Sequence, residues 1–263
     1  MIGQTDASRL FAPFCDVWTI NPYAACEFRC VYCITQAQGE SRPKLAAEAV
    51  RAQLRRELAE EPAKIGIVVG GMSDAYPTVE TEHGLTRRVL EELIAQGCDF
   101  HIVTKGLGIL RDLDLLVPHR HAVKVQVSLS SLDDRVLGEL DPGAPSASER
   151  LALVARLVDA GLDVTIAVTP WIPDVTDVEA IVASAPAGAG IQLGPLTVPV
   201  WHDAIRLLGR RWTQEEIDRR YLAERRRLGA SDRIRWLYPA GPARESDRVY
   251  LVSFMPAEES VAG

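Results

Sequence analysis

Six short runs rich in valine and isoleucine recur along this chain: DVWTI (Asp16–Ile20), KIGIVVGG (Lys64–Gly71), DFHIVTK (Asp99–Lys105), VKVQVSLS (Val123–Ser130), DVTIAVTP (Asp163–Pro170) and GIQLGPL (Gly190–Leu196). Most are apolar through their centre, the pattern of parallel strands covered on both faces. Helical patterns separate them, at Lys44–Leu58, His83–Gly97, Leu132–Leu140, Ser146–Gly161 and Asp177–Ala185. Alternation of this kind builds parallel βαβ units with right-handed crossovers. About six units fall short of the eight in a complete barrel, so the pattern predicts an α/β fold closed as a partial (β/α)6 barrel or left as an open sheet. In both, ligands collect at the carboxyl ends of the strands.

The remaining sequence bounds the function class. A chain of 263 residues fits one large domain or two small ones. A net charge of −7 repels nucleic acid and anionic lipid on average, although a local basic patch can override that. The start, MIGQTDASRLFAPF, lacks the basic-then-apolar pattern of a signal peptide. No run approaches the ~20 apolar residues of a membrane helix. The expectation is a cytoplasmic protein with no membrane partner. In a reducing compartment, clustered cysteines read as metal-binding or catalytic rather than disulfide-forming.

Such a cluster exists. Cys26, Cys30 and Cys33 follow the first strand directly, at its carboxyl end, in the stretch NPYAACEFRCVYC. Cys15 and Cys98 are expected at the opposite face, and no histidine stands nearby. A closed zinc site wants four ligands. Three thiolates suit a 4Fe-4S cluster with one iron left open to a substrate or cofactor. The plainer alternative is three buried cysteines serving as small apolar residues.

The spacing C-x3-C-x2-C, with Tyr32 just before the third cysteine, resembles the radical S-adenosylmethionine (SAM) superfamily. That resemblance implies that Cys26, Cys30 and Cys33 ligate a 4Fe-4S cluster and that SAM chelates the open iron. An electron then splits the sulfonium, and the resulting 5′-deoxyadenosyl radical abstracts hydrogen from a substrate. It implies a six-stranded partial barrel, a reducing partner such as flavodoxin or ferredoxin, and adenine lying against the backbone at Tyr32. The ordered set Asn21-Pro22-Tyr23, SDAYPTVE (Ser73–Glu80), TKG (Thr104–Gly106), VSLSSLD (Val127–Asp133) and LDPGAPSASER (Leu140–Arg150) is similar to the spore photoproduct lyase-like branch.

Other candidate contacts sit at strand ends. Gly70, Gly71 and Met72 form a turn where a Cβ would block close approach to a ligand, and Ser73 follows it. By the resemblance these hold SAM; the alternative is an ordinary turn. Lys105 can hold a carboxylate or a substrate anion by charge-assisted hydrogen bonds, or be a solvated lysine. Ser128 and Ser130 share one strand face and can reach SAM. Thr169 at the fifth strand's end and Arg150 at a helix start are further SAM-contact candidates, with a surface salt bridge the alternative for Arg150. Tyr76, beside Asp74 in the loop after the glycine turn, reads either as a hydrogen-atom relay or substrate stack, or as packing. Trp201-His202 suits base stacking and acid/base work by His202, or a structural imidazole.

Two features temper the branch resemblance. Spore photoproduct lyases carry a hydrogen-donating cysteine where this chain has Gly71, and a tyrosine where it has Ile34. The stretch 206–235 holds ten arginines against five acidic residues, but Glu216 and Arg220 stand at helical salt-bridge spacing. The sequence therefore predicts a radical SAM enzyme acting on a small molecule, with a nucleoside or nucleotide-like substrate one candidate, by epimerisation, rearrangement or sulfur insertion. Nucleic-acid photoproduct repair and a non-catalytic iron–sulfur or zinc protein are the alternatives. Residues 1–199 are expected to form the partial barrel, and 200–263 an extension of helix and strand covering the substrate site.

Overall fold

The computed structural model describes residues 10–14, 17–33, 39–60, 66–196 and 212–237. Eight strands form one sheet in chain order: β1 (Phe11–Phe14), β2 (Val17–Ile20), β3 (Ile67–Val69), β4 (Phe100–Thr104), β5 (Val123–Ser128), β6 (Asp163–Trp171), β7 (Gly190–Pro195) and β8 (Ile234–Trp236). β1 pairs antiparallel with β2, and every later pairing is parallel. β1 and β8 lie at opposite edges of the sheet order, so among the described residues the sheet stays open, as a partial barrel. Helices α1 (Val50–Glu60), α2 (Glu80–His83), α3 (Leu85–Ala95), α4 (Leu113–Leu116), α5 (Asp134–Leu140), α6 (Ala147–Asp159), α7 (Val178–Ser184) and α8 (Gln214–Leu228) fill the crossovers.

All six expected strands form. β5 differs from the expectation on one face. Val123, Val125 and Val127 of β5 are almost fully buried. Burying each contributes roughly 1.5 kcal/mol or more. The residues between them, Lys124 and Gln126, are exposed and half-buried. β5 is thus covered by helices on one side and polar on the other, whereas β3 is buried throughout and β7 nearly so, as expected. Two strands go beyond the six. β1 contains Pro13, which an edge strand tolerates, and β8 is three residues long inside the arginine-rich stretch.

The helices also shift in bounds. α1 begins at Val50 rather than Lys44 because the preceding segment is held extended: Pro43 bridges Tyr23, and Lys44 N–H donates to the Pro22 carbonyl at 3.0 Å. The helix expected over His83–Gly97 forms as α3, and Gly84, at φ 60°, separates it from a short unexpected turn of helix, α2, ahead of it. α6 matches closely, opened by a capping box of Ser146 and Glu149. The described part of the extension adds a sixth crossover and a seventh parallel strand: Tyr221 of α8 donates to the carbonyls of Leu193 (2.7 Å) and Leu237 (3.0 Å), seating α8 on the sheet. The strand-like run Arg248–Phe254 lies outside the described residues. No described helix is long and apolar enough to cross a membrane.

Candidate active site

The cysteine loop begins where β2 ends and is stitched to its neighbours on both sides. Gly70 N–H donates to the Ile20 carbonyl at 2.9 Å. The Asn21 side-chain oxygen then accepts from the N–H groups of Met72 (2.8 Å) and Ser73 (3.1 Å), and the Ser73 hydroxyl donates to the Tyr23 carbonyl at 2.9 Å. Tyr23 in turn donates to buried Glu80, which Arg111 pairs at 2.7 Å. On the far side Val31 N–H donates to the Leu140 carbonyl (2.8 Å) and Gly143 N–H to the Phe28 carbonyl (3.2 Å). A Cβ at Gly143 would stand 2.2 Å from the Glu27 carbonyl oxygen, so the LDPG loop must present glycine there. Between these anchors Ala25 (φ 95°) and Arg29 (φ 49°) take left-handed backbone. Such residues cost about 1–3 kcal/mol each and persist only where surroundings enforce them.

Gly70 has the strictest requirement. Its φ is 89°, and a Cβ there would stand 2.5 Å from the Val103 carbonyl oxygen and 2.7 Å from the Ala75 nitrogen. Gly70→Ala is expected to destabilise the protein by about 3 kcal/mol, combining backbone strain with the clash. A thermal midpoint within a degree of the wild type would refute this.

Cys26, Cys30, Cys33 and Cys98 form no disulfide. Burial, then the Asp74 carboxylate, pushes the Cys26 thiol up to about 12. Burial raises the Cys30 thiol too, against the pull of Lys105. The Lys105 ammonium lies 5.6 Å from the Tyr32 ring centroid. Burial disfavours its charge, but Cys30, Tyr32 and Asp141 outweigh that and hold its pKa well above the usual lysine value. Among the described residues no three His, Cys, Asp or Glu side chains could together hold a metal ion. Donors sharing one zinc would stand about 4 Å apart. An iron–sulfur cluster asks something different, since each thiolate takes its own iron.

Asp74 organises the turn. It accepts from the Thr104 hydroxyl (2.6 Å), Tyr76 N–H (2.8 Å) and Lys105 N–H (2.8 Å), so the ends of β3 and β4 are tied through one carboxylate. Burial raises its pKa, and these hydrogen bonds act the other way. Behind Tyr32 lies a buried pair absent from the sequence reading as a unit. Arg150 donates to Asp141 at 2.9 Å, both at most 1% exposed, and also to the carbonyls of Ser128 (3.1 Å) and Pro145 (2.7 Å). The Tyr32 hydroxyl donates to the same Asp141 oxygen at 3.3 Å. Arg150 is thus no surface residue.

Lys105, Ser128, Ser130 and Thr169 lie at the carboxyl ends of β4, β5 and β6, beside the glycine turn after β3. The hydroxyl oxygens of Ser130 and Thr169 are buried without a hydrogen-bond partner. Orphaned polar atoms cost about 1–3 kcal/mol unless a ligand satisfies them. Three thiols on one loop and these two hydroxyls fit an iron–sulfur cluster with a polar organic ligand. Tyr76 does not join them. Its ring is 2% exposed and its hydroxyl donates to Asp112 at 3.0 Å, which places it in the packing between the loops after β3 and β4. Cys98 precedes β4, at the far end from the site. Cys15, Ile34, Trp201 and His202 lie outside the described residues. Asp141 and Asn21 are structural keys with no expected role in the site, and Asp74, expected only at its mouth, ties the strand ends together. Their signal was positional: Asp141 opens DPG after a helix, and Asn21 directly follows a strand.

Comparison with known proteins agrees with this arrangement. The Radical SAM superfamily model matches residues 20–183, well over half the chain. An uncharacterized protein of Mycobacterium tuberculosis is 30% identical over 174 residues, 61% of this chain and 51% of its own length. One from Methanocaldococcus jannaschii is 27% identical over 168 residues, 63% of this chain and 64% of its own. The chain thus spans about half the length of the mycobacterial relative it matches. A spore photoproduct lyase variant with bound AdoMet and dinucleoside spore photoproduct superposes with a TM-score of 0.55 at 17% identity, covering 77% of this chain and 65% of that one. A radical SAM methyltransferase from Sphaerobacter thermophilus gives 0.52 at 19% identity, covering 87% and 69%. At those identities the structural likeness speaks for the fold alone, but the family match covers every strand from β3 to β6, the cysteine loop and the glycine turn. The chain belongs to the radical SAM superfamily and is an enzyme of the radical SAM class.

Proposed function

We propose that this enzyme holds a 4Fe-4S cluster on Cys26, Cys30 and Cys33, cleaves SAM there with an electron from a flavodoxin- or ferredoxin-like donor, and abstracts hydrogen from a small molecule. When bound, cluster and SAM together supply a hydrogen-abstracting carbon radical. The protein's own residues bind, orient and exclude water. Gly70, Gly71 and Met72 offer backbone that a ligand can approach closely, fixed in place by Asn21 and Ser73. Lys105, whose ammonium lies 5.6 Å from the Tyr32 ring centroid, suits a carboxylate such as SAM carries. Ser128, Ser130 and Thr169 offer hydroxyls from β5 and β6, and Arg150 acts one step back, setting Ser128 and Asp141.

The observation carrying this reading is the cysteine loop hydrogen-bonded to the glycine turn through Asn21. A small substrate is favoured over duplex nucleic acid because two of the five arginines of α8 are engaged within the chain: Arg220 pairs with Asp174, and Arg227 with Glu224 and Glu179. The test is anaerobic reconstitution with iron and sulfide, reduction in the presence of SAM, and assay for 5′-deoxyadenosine. Absence of that product from a protein loaded with cluster would overturn the proposal.

A further inference from the structure

The loop that carries the thiols also presents a cation to the outside. Arg29 stands between Cys26 and Cys30 and takes left-handed backbone, at φ 49°. Glycine or asparagine adopts that conformation with less strain. An arginine there brings a side chain the backbone does not ask for, and strained backbone of this kind gathers at functional places. Its side chain is exposed, whereas Cys30 beside it is 7% exposed and meets Lys105 on the inner side of the loop. Among the described residues no hydrogen bond or ion pair engages the Arg29 guanidinium.

The flanking segments leave this cation open. On one side residues 39–44 run along the loop: Gly39 N–H donates to the Cys26 carbonyl at 3.1 Å, and Ala24 N–H to the Arg42 carbonyl at 2.8 Å. The buried Ser41 hydroxyl accepts from Glu27 N–H at 3.2 Å. With Ser41 turned inward, Arg42 is exposed as a second cation, and no described side chain pairs with it. On the other side the turn after α5 packs Gly143 against Phe28 and exposes the uncharged Pro142 and Gly143, while its Asp141 is committed to Arg150. The Glu27 carboxylate accepts from the Thr78 N–H and hydroxyl, each at 2.6 Å. Glu40 and Glu139 are the exposed acids of the two flanks, and neither pairs with Arg29.

We propose that Arg29, with Arg42 on the neighbouring segment, is the docking surface for an acidic one-electron donor protein of the flavodoxin kind. The inner side of the loop belongs to small ligands at the strand ends. A protein is too large to enter there, and on the outer side it meets Arg29 one residue from a cluster thiolate. Carboxylates of the donor face the arginines, which steers encounter and fixes orientation. The donor loses one electron and the loaded enzyme gains it; no bond forms or breaks. This rests on the proposed function, whose donor it seats. The test titrates an oxidised bacterial flavodoxin into the full chain reconstituted with iron and sulfide, by anaerobic calorimetry at low ionic strength. Saturable binding is expected, weakened about fivefold in Arg29→Asn and about tenfold when Arg42→Gln is added. Asparagine tolerates left-handed backbone, so iron content should not change. Arg29→Lys, which keeps the charge, should stay within about twofold of the wild type, as should Arg226→Gln at an exposed arginine of α8. Added salt should weaken wild-type binding more than that of Arg29→Asn. No saturable binding, equal affinity in Arg29→Asn and the wild type, weakening of the same size in Arg226→Gln, or loss of iron from Arg29→Asn overturns the proposal. Formation of 5′-deoxyadenosine with dithionite as reductant is measured on the same wild-type sample. Its absence counts against the proposed function and leaves the docking result standing.

Discussion

Cys30→Ala is expected to strip the protein of iron and acid-labile sulfide, and to bring 5′-deoxyadenosine formation to the background of cluster-free protein. The reasoning is one of ligand count. Iron–sulfur clusters are held by cysteine thiolates, and the loop offers three; Cys98, the other cysteine among the described residues, lies before β4, away from the loop. The fold itself should survive the change. The loop is held by backbone and Asn21 hydrogen bonds rather than by the thiol, and removing one sulfur costs only about 1 kcal/mol, an ordinary substitution. Thermal melting therefore separates loss of cluster from loss of structure. Cys98→Ala is the companion and should keep full iron content. A Cys30→Ala protein that retains iron and sulfide at the wild-type level would refute the assignment of this loop as the cluster's seat.

Features written in contiguous residues could be read from the sequence. The six parallel strands announce themselves as valine and isoleucine runs, and the cysteine spacing and Gly70-Gly71 turn are local chemistry. Features that depend on distant partners were not legible. Tyr32 and Asp141 are 109 residues apart, yet share a hydrogen bond. Arg150 reads as a SAM contact or, alternatively, a surface salt bridge at a helix start, and its burial against Asp141 follows only once α6 packs on β5 and β6. Tyr76 offers the same hydroxyl on paper whether it faces a substrate or Asp112; tertiary packing chose Asp112. The polar face of β5 was hidden in plain alternation. VKVQVS has period two, which speaks for one covered face, but its valines dominate the eye and suggest two. β8 is too short for propensity to find inside an arginine-rich segment, and that is why Arg235 was counted with a surface helix rather than with the barrel wall.

Asp141→Ala should be the most destabilising single change in the site, by about 3–5 kcal/mol, because it leaves the Arg150 guanidinium buried with no counter-charge. Arg150 is 1% exposed and its neighbour Asp141 fully buried, so water cannot replace the lost partner. Two carbonyl contacts, to Ser128 and Pro145, remain but neutralise nothing. At about 2–4 °C per kcal/mol for a chain of this size, the thermal midpoint should fall by roughly 10 °C. Arg150→Met should cost a similar amount, stranding the carboxylate instead. The double replacement Asp141→Leu with Arg150→Met removes both charges, and should be more stable than either single variant, since an apolar pair of similar volume is often neutral. The functional consequence differs from the stability consequence. With Asp141 gone, the Tyr32 hydroxyl loses its acceptor between Cys30 and Cys33, so even the restabilised double variant should bind cluster less completely than the wild type. Sub-stoichiometric iron in a well-folded double variant would therefore identify the pair as the tether of the cysteine loop. A single Asp141→Ala variant melting within 2 °C of the wild type, with full iron, would show that the loop is held without it.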